Sequence, residues 1–177
     1  MKIIVINGRP RAGKDTFVEF CKSHCSWCLN VSTVDFVKEV AKFCGWNGEK
    51  TAENRKFLSD LKDLLTQWND VPFKKVSKEI SAFVGEMTMY DFDPEIEGII
   101  FIHCREPKEI ARFHKELGAQ TLLITRDEVE EEVQSNHADE EVDKYKYDYM
   151  IANDGTLQDL EEAAMHFLEA MDIKITK

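Results

Sequence analysis

Apolar runs and amphipathic stretches alternate along the whole chain, and this alternation predicts its secondary structure. Residues 2–7 (KIIVIN), 98–104 (GIIFIHC) and 120–125 (QTLLIT) are apolar without polar alternation, which is typical of strands buried on both faces. Weaker patterns predict two further strands at 29–34 and 147–153. The sequence therefore predicts five strands, three of them in the centre of a sheet.

Apolar positions at helical spacing fill the intervals between these strands. They predict helices over 14–27, 35–45, 52–68, 72–88, 106–118 and 157–171. Pro107 and Gly118 suit the first turn and the end of the fifth helix, and Thr156 suits the cap of the last. Strands that alternate with helices form a mostly parallel sheet covered on both faces, so we expect a three-layer α/β fold.

The chain of 177 residues predicts one domain spanning 1–177, since it contains no repeat, linker or low-complexity tract. A formal net charge of -11 argues against nucleic acid as a partner. No apolar run reaches membrane-spanning length, and the N-terminus resembles no secretory signal. With five cysteines, an odd number, these features predict a cytoplasmic protein with free thiols.

The segment that follows the first strand has the pattern G-x-x-x-x-G-K, formed by Gly8, Gly13 and Lys14. A strand before this pattern and a helix after it are the context of a phosphate-binding loop. The glycines let successive N–H groups converge near the helix N-terminus, where they make an anion site. Lys14 would lie beside the β- and γ-phosphates of ATP, and Thr16 beside the α-phosphate.

Asp15 occupies the position where such loops usually carry Ser or Thr. A carboxylate is a hard oxygen ligand, so Asp15 can bind Mg²⁺ directly or through water. Arg9 and Arg11 add positive charge beside the phosphate path. These residues predict ATP and Mg²⁺ as cofactors. The structural alternative is a glycine-containing turn with a surface lysine, which the register of strand, glycines and helix disfavours.

Three cysteines, Cys21, Cys25 and Cys28, form C-x3-C-x2-C with His24 between the first two. The spacing leaves a metal or redox role open. A closed zinc site needs four ligands, and no second close pair follows downstream. The pattern therefore favours ordinary packed or surface thiols.

The loop GRPRAGKDTF (residues 8–17) resembles that of nucleoside-monophosphate-kinase-like P-loop proteins in which aspartate follows the lysine. Phage-type deoxynucleoside monophosphate kinases and animal-type phosphomevalonate kinases belong to this group. Residues 35–46, 53–65, 99–126 and 148–162 are similar to later segments of these families. The resemblance implies a P-loop NTPase fold with a helical acceptor region at about 35–90 and a lid at about 127–143.

The resemblance also implies a role for each matching position. The residues that would hold the nucleotide are Gly8, Arg9, Arg11, Ala12, Gly13, Lys14, Asp15, Thr16 and Asn153, the last lying near the adenine. The residues that would line the acceptor side are Asp35, Lys38, Arg55 and Arg105. Lys14, Arg105 and Arg126 would act on the transferring phosphate.

The chemistry of the arginine side chain supports these roles independently, because its planar fork grips a phosphate at two points. Arg105 and Arg126 both follow buried strands, and open α/β sheets bind ligands at the carboxyl ends of their strands. Each candidate also has a structural alternative. Arg55 and Lys38 suit surface ion pairs, and Asp35 suits a helix cap.

Two features depart from the resembling families. His103 stands where they usually carry the aspartate of a D-x-R pattern. The segment 127–143 contains nine acidic residues and no Lys or Arg, whereas kinase lids commonly close arginines over the phosphates. Carboxylates in this segment would repel the phosphates and oppose closure of the lid, unless Mg²⁺ or an outward orientation of the side chains relieves the repulsion.

The sequence favours a phosphotransferase that moves the γ-phosphate of ATP to a small phosphorylated acceptor, a (deoxy)nucleoside monophosphate. A phosphomevalonate-type acceptor and a nucleotide-binding module with little transfer activity stay open as alternatives. Five aromatic residues of the acceptor region could receive a flat base, although we expect most of them in the core: Phe36, Phe43, Trp46, Phe57 and Trp68. The pattern does not indicate the oligomeric state.

Overall fold

Five parallel strands form the centre of the protein in the computed structural model, which describes residues 1–127, 142 and 145–176. The strands are β1 (Lys2–Asn7), β2 (Trp27–Ser32), β3 (Gly98–His103), β4 (Gln120–Thr125) and β5 (Tyr149–Ala152). Their order across the sheet is β2-β3-β1-β4-β5, and every neighbouring pair is parallel. The carboxyl ends of all five strands therefore meet at one edge of the sheet.

Helices connect these strands and cover both faces of the sheet. They are α1 (Lys14–His24), α2 (Asp35–Phe43), α3 (Ala52–Asn69), α4 (Val71–Met89), α5 (Pro94–Glu97), α6 (Pro107–Leu117) and α7 (Leu157–Ala170). The predicted α/β class and five-stranded sheet are confirmed. The three helices α2, α3 and α4 follow one another between β2 and β3, where the acceptor region was predicted.

The core lies in two layers, one on each face of the sheet. On one face, Phe17 of α1 packs edge-on against Phe101 of β3 and Phe167 of α7, with ring centroids 6.3 and 5.7 Å apart. On the other face, Ile100 and Phe113 belong to a cluster that joins the sheet to α4 and α6. Aliphatic side chains buried on both faces explain why the central strands read as continuous apolar runs.

Most element boundaries agree with the pattern, and the main difference has a clear cause. Helix α1 was predicted to continue to residue 27 but ends at His24. Cys25 adopts an extended conformation (φ −131°, ψ 156°) and forms an isolated antiparallel bridge with Ile175 near the C-terminus. This tertiary pairing starts the extended segment early, so β2 begins at Trp27 instead of residue 29.

The predicted lid, 127–143, lies outside the described residues except for Asp127 and Val142. Among the residues that the structure does describe, none of the helices is both long enough and apolar enough to cross a membrane.

The expectation that most acceptor-region aromatic residues pack in the core is wrong. Phe43 is 94% exposed and Trp68 is 81% exposed, while Phe57 is 36% exposed. Phe36 and Trp46 are half-buried. For Phe57 and Trp68 the reason lies in helix α3, where Lys62 is the one fully buried residue and no apolar side chain is fully buried.

Replacing the N-cap residue of α7 should show how much its capping hydrogen bonds contribute to the free energy of unfolding. The Thr156 hydroxyl accepts from the Asp159 N–H, and the Asp159 carboxylate accepts from the Thr156 N–H, which makes a complete capping box. We expect Thr156→Ala to lower the free energy of unfolding by about 1 kcal/mol in urea denaturation. Thr88→Ala, which removes a hydroxyl bonded to a carbonyl within its own helix, should change it by less than about 0.5 kcal/mol. Equal losses in the two variants would contradict the capping role.

Candidate functional site

The loop between β1 and α1 approaches neighbouring strand ends so closely that a Cβ would clash at two positions, both of which are glycine. A Cβ on Gly8 (φ +146°) would lie 2.3 Å from the carbonyl oxygen of Ile124 in β4. A Cβ on Gly13 (φ +97°) would lie 2.3 Å from Nδ2 of Asn153. Both angles also favour glycine. The two glycines of the motif thus let the loop pack onto the carboxyl end of the sheet.

Asn153 braces this loop from the end of β5. Its backbone N–H donates to the Thr125 carbonyl at 2.8 Å, and its buried side-chain Nδ2 donates to the Ala12 carbonyl at 3.0 Å. Because the amide group is used in this way, the geometry makes Asn153 a support of the loop as well as part of the cleft wall. Its predicted place near an adenine ring stays a prediction.

Lys14 begins helix α1 and lies along the loop. Its Nζ donates to the carbonyls of Gly8 and Arg9, both at 2.8 Å. Arg11, at the exposed tip, has φ +68°, a left-handed conformation that costs a non-glycine residue about 1 kcal/mol or more. The loop is thus a strained turn around an ammonium group at a helix N-terminus, the arrangement that binds phosphate.

A cleft of about 290 Å³ opens beside this turn. Seven predicted residues line it together: Arg11, Gly13, Lys14, Asp15, Thr16, Arg126 and Asn153. The rest of its wall is formed by Gly155, Thr156, Leu157 and Leu160, from the start of α7. The cleft is therefore polar and basic at the loop and apolar towards α7, where Leu157 is 69% exposed.

Three further loop residues lie just outside the cleft. Arg9 and Ala12 border a second, much smaller cavity that also contacts Arg126. Ala12 is buried, and Gly8 packs against β4. Their contribution to a ligand site would come from backbone groups and, for Arg9, from charge.

The predicted acceptor residues lie apart from the cleft, three of them just after the ends of β2 and β3 and the fourth, Arg55, on α3. The Asp35 carboxylate accepts from the Ser32 N–H at 2.9 Å and pairs with the Lys38 ammonium at 3.2 Å. Arg105 is half-buried directly after β3, whereas Arg55 is exposed on α3. The structure thus brings Asp35 and Lys38 together, and neither Arg55 nor Arg105 belongs to the walls of the cleft.

His103, at the end of β3, lies between the two groups of residues. Its Nδ1 is 3.8 Å from Oδ1 of Asp15, and its buried Nε2 has no hydrogen-bond partner among the described residues. Burial lowers the pKa of His103 below its usual value, and the opposing attraction of Asp15 is weaker. The imidazole is therefore neutral near pH 7, and it lies close enough to Lys14, Asp15, Asp35 and Lys38 for their charges to act on it.

Two supporting residues were missed by the sequence analysis. Asn7, fully buried at the end of β1, accepts from the Gly8 N–H at 2.8 Å and donates to the Tyr147 hydroxyl at 2.7 Å. That hydroxyl donates in turn to the Val142 carbonyl at 2.9 Å. A single polar residue that ends an apolar strand is a signal that could have identified Asn7, but nothing in the sequence pointed to Tyr147.

Asp15 is the residue in the cleft suited to a hard cation, since its side chain is 92% exposed beside Lys14. Within the described ranges, no three His, Cys, Asp or Glu side chains are grouped to hold a metal ion. Magnesium in nucleotide sites needs only one or two carboxylates, because phosphate oxygens and water complete its coordination. The residues present therefore fit Mg²⁺ bound together with a nucleotide.

The cysteine triplet at the far end of α1 is a separate packing feature. Cys21 is fully buried, and burial raises the pKa of its thiol. The Cys25 thiol donates to the Trp27 carbonyl at 3.7 Å, and all three cysteines are free. A thiol with a raised pKa is a poor nucleophile, so Cys21 has the character of a core side chain.

No protein-family model and no curated protein matches the sequence. Among solved structures, an APS kinase from Mycobacterium tuberculosis matches with 13% identity and a TM-score of 0.39, covering 95% of this chain and 96% of that one. A shikimate kinase from Bacteroides thetaiotaomicron matches with 13% identity and a TM-score of 0.46, covering 97% and 99%. Both likenesses are too distant to indicate a function, which must come from the site itself.

Two glycines with nearly the same backbone angle offer a test of the loop packing. Gly13→Ala combines left-handed strain with a clash against Asn153, whereas Gly45 (φ +91°) has nothing within 4 Å of its Cβ position. We expect Gly45→Ala to cost about 1 kcal/mol and Gly13→Ala about 2 kcal/mol more in chemical denaturation. Similar losses would show that the loop does not pack tightly on Asn153.

The buried histidine predicts a pH dependence of stability. Because the pKa of His103 is lowered in the folded protein, the unfolded chain binds a proton first as the pH falls. The contribution of His103 to stability is therefore complete above the pKa that histidine has in the unfolded chain, about 6.5, and it is lost as the pH falls below that value. We expect wild type to lose more free energy of unfolding than His103→Gln between pH 7 and pH 5, with metal chelated. His166→Gln, at an exposed site, should behave like wild type.

Proposed function

We propose that this protein is an ATP-dependent phosphotransferase that moves the γ-phosphate to a small phosphorylated acceptor, a (deoxy)nucleoside monophosphate. The observation that carries the proposal is the loop from Gly8 to Thr16. It joins a buried strand to a helix N-terminus, and both of its motif glycines are required by close approaches of 2.3 Å. Lys14 lies inside the turn, held by two loop carbonyls at 2.8 Å.

The cleft supports the nucleotide part of the proposal. Its loop side offers backbone N–H groups, Lys14 and Thr16 to a phosphate chain, and its α7 side offers Leu157 and Leu160 to a base. Backbone amides at a helix N-terminus favour anions without requiring any net positive charge on the protein. This local arrangement explains how a chain with a formal net charge of -11 can bind a polyanion.

Phosphoryl transfer requires the protein to align the donor and acceptor phosphates and to stabilise the negative charge that develops between them. The protein itself has little covalent chemistry to perform. Magnesium, when bound, neutralises charge on the β- and γ-phosphate oxygens, and Asp15 is the residue that would hold it. Lys14 would leave its two carbonyl partners and follow the γ-phosphate. Arg126 lines the same cleft at the end of β4, and Arg105 follows β3, which lies on the other side of β1 in the sheet. Both guanidinium groups can therefore approach the phosphate from the carboxyl edge of the sheet.

A phosphorylated acceptor is supported by the basic groups beyond the cleft. Lys38 and Arg105 lie near the ends of β2 and β3, and Arg55 lies on the following helical segment. A second phosphate needs such donors, whereas a neutral alcohol does not. Phosphomevalonate would satisfy the same charges, and the exposed aromatic rings of the acceptor region favour a flat base instead.

Two features favour a second candidate, a nucleotide-binding module with little transfer activity. His103 is neutral and faces Asp15 at 3.8 Å, where the resembling kinases carry an aspartate. The acidic segment 127–143 adds carboxylates in the region of a kinase lid. Both candidates bind ATP, so turnover distinguishes them.

Substrate-dependent ADP release tests the proposal directly. The protein is incubated with Mg-ATP and a panel of nucleoside and deoxynucleoside monophosphates, together with phosphomevalonate. We expect one acceptor to stimulate ADP release, and Lys14→Ala to lower that rate by about 10³-fold because the charge on the phosphate path is lost. Direct detection of the phosphorylated acceptor separates transfer from hydrolysis.

The matched control is Lys56→Ala, which removes an exposed lysine that pairs with Asp60 within α3. It should leave the rate unchanged. ATP binding without stimulation by any acceptor would reject the kinase and leave the binding module. Failure to bind ATP at all would reject both candidates.

A further inference from the structure

A partly buried cluster of charges joins the acceptor region to the start of α6. The Lys62 side chain is only 8% exposed, and its ammonium group lies 2.6 Å from Oε1 of Glu106 and 2.6 Å from Oε2 of Glu109. The Cys104 thiol donates to the same Glu109 oxygen at 3.2 Å. The two carboxylates raise the pKa of Lys62 despite its burial, and burial raises the pKa of Cys104. The lysine is therefore charged and the thiol neutral.

This cluster attaches α3 to the rest of the protein, whereas the other long helices are attached by buried apolar side chains. Lys62 is the one fully buried residue of an 18-residue helix, while Leu64 and Trp68 on the same helix are 62% and 81% exposed. A second ion pair holds the end of the helix, since the Arg112 guanidinium contacts both Asp70 oxygens at 2.7 Å and stacks on Phe73. Helix α3 thus depends on charged side chains to stay against α6.

The geometry of a helix places Arg55 on the same face as Lys62. Seven residues turn an α-helix through almost two full turns and advance it by about 10 Å. The contact made by Lys62 therefore fixes the rotation of α3 about its own axis, and with it the direction of the face that carries Arg55. The N-terminal half of α3, residues 52–61, contains no fully buried residue of its own to do so.

On its opposite side, the cluster adjoins Arg105, another of the proposed acceptor residues. Glu106 is the cap residue of α6 and directly follows Arg105, so its ion pair with Lys62 also restrains the backbone of the arginine turn. The Arg105 carbonyl lies 3.5 Å from Nδ2 of Asn7, whose Oδ1 accepts from the Gly8 N–H. A continuous path of contacts therefore runs from α3 through the arginine turn to the phosphate-binding loop.

We infer that Lys62 is a positioning residue, which sets the acceptor helix and Arg55 against Arg105 at the distance that acceptor binding requires. It touches neither ATP nor acceptor in this scheme and acts through Glu106 and Glu109. The inference rests on the proposed phosphotransfer for its kinetic consequence. Its structural consequence, that the Lys62 ammonium group attaches the middle of α3 to α6, is independent of any activity.

The test compares wild type with Lys62→Met, which keeps the length of the side chain and removes its charge. We expect amide hydrogen exchange in residues 52–61 to become about tenfold faster, because the helix loses its buried contact. With the acceptor that gives the highest turnover, KM for that acceptor should rise by about tenfold, while KM for ATP changes by less than about twofold. Lys56→Met, on the same helix, should change none of the three values.

A double variant separates positioning from plain destabilisation. In the double variant Lys62→Met with Glu109→Gln, one of the carboxylates left without its lysine becomes neutral. The melting temperature should therefore recover most of what the single variant Lys62→Met loses. If Lys62 positions the helix, KM for the acceptor stays raised in the double variant, since no link to α6 has been restored. Recovery of KM together with the melting temperature would overturn the inference, and so would unchanged exchange in Lys62→Met.

The exchange measurement also keeps the inference separate from the proposed function. If wild type phosphorylates no acceptor, the proposed kinase is rejected, and exchange in residues 52–61 alone decides the role of Lys62. Faster exchange there would support the charged contact as the attachment of α3. Exchange equal to that of Lys56→Met would overturn it.

Discussion

The close approach between the loop at Gly13 and the side chain of Asn153 is the contact on which the candidate site depends. The Asn153 amide donates to the Ala12 carbonyl at 3.0 Å, and its nitrogen occupies the space where a Cβ at residue 13 would lie. In the sheet, β1 and β5 are separated by β4, so this contact reaches across an intervening strand. Gly8 makes the corresponding approach to β4 itself. The loop is therefore fixed at both glycines by the ends of parallel strands, and parallel pairing is what brings those ends together.

The two halves of the proposed site are attached to the fold by different physical means. Helix α1, which carries Lys14, is held by aromatic and aliphatic packing around Phe17, and such close-packed contacts resist displacement. Helix α3, which carries Arg55, is attached to α6 by Lys62 and by the Asp70–Arg112 pair. Ionic contacts depend strongly on geometry and are lost once their partners separate. The nucleotide side is thus built rigidly, whereas the acceptor side can be displaced by breaking a few defined contacts.

Sequence patterns predicted most of this fold because its strands and helices obey local rules. The three central strands are apolar on both faces, and Gly118 and Thr156 lie where the structure ends α6 and caps α7. The loop of the candidate site was predictable for the same reason, since its motif is contiguous. Residues that depend on tertiary contacts were not. Nothing local distinguishes Lys62 from the exposed lysines around it, and Trp68 looks like a core residue until the helix is found to have no core beneath it.

The neutral state of His103 bears on the charge balance of the proposed transfer. An aspartate at this position, as the resembling kinases usually have, would place a second carboxylate close to Asp15 and raise the negative charge beside the γ-phosphate. A buried imidazole with a lowered pKa adds no charge near pH 7. Among the described residues that line the cleft, Asp15 is then the one acidic side chain, beside the basic Arg11, Lys14 and Arg126. Since transfer is favoured by positive charge around the moving phosphoryl group, a neutral His103 at least adds no further negative charge beside Asp15. The histidine is therefore compatible with catalysis in this chain and is not by itself a sign of a lost activity.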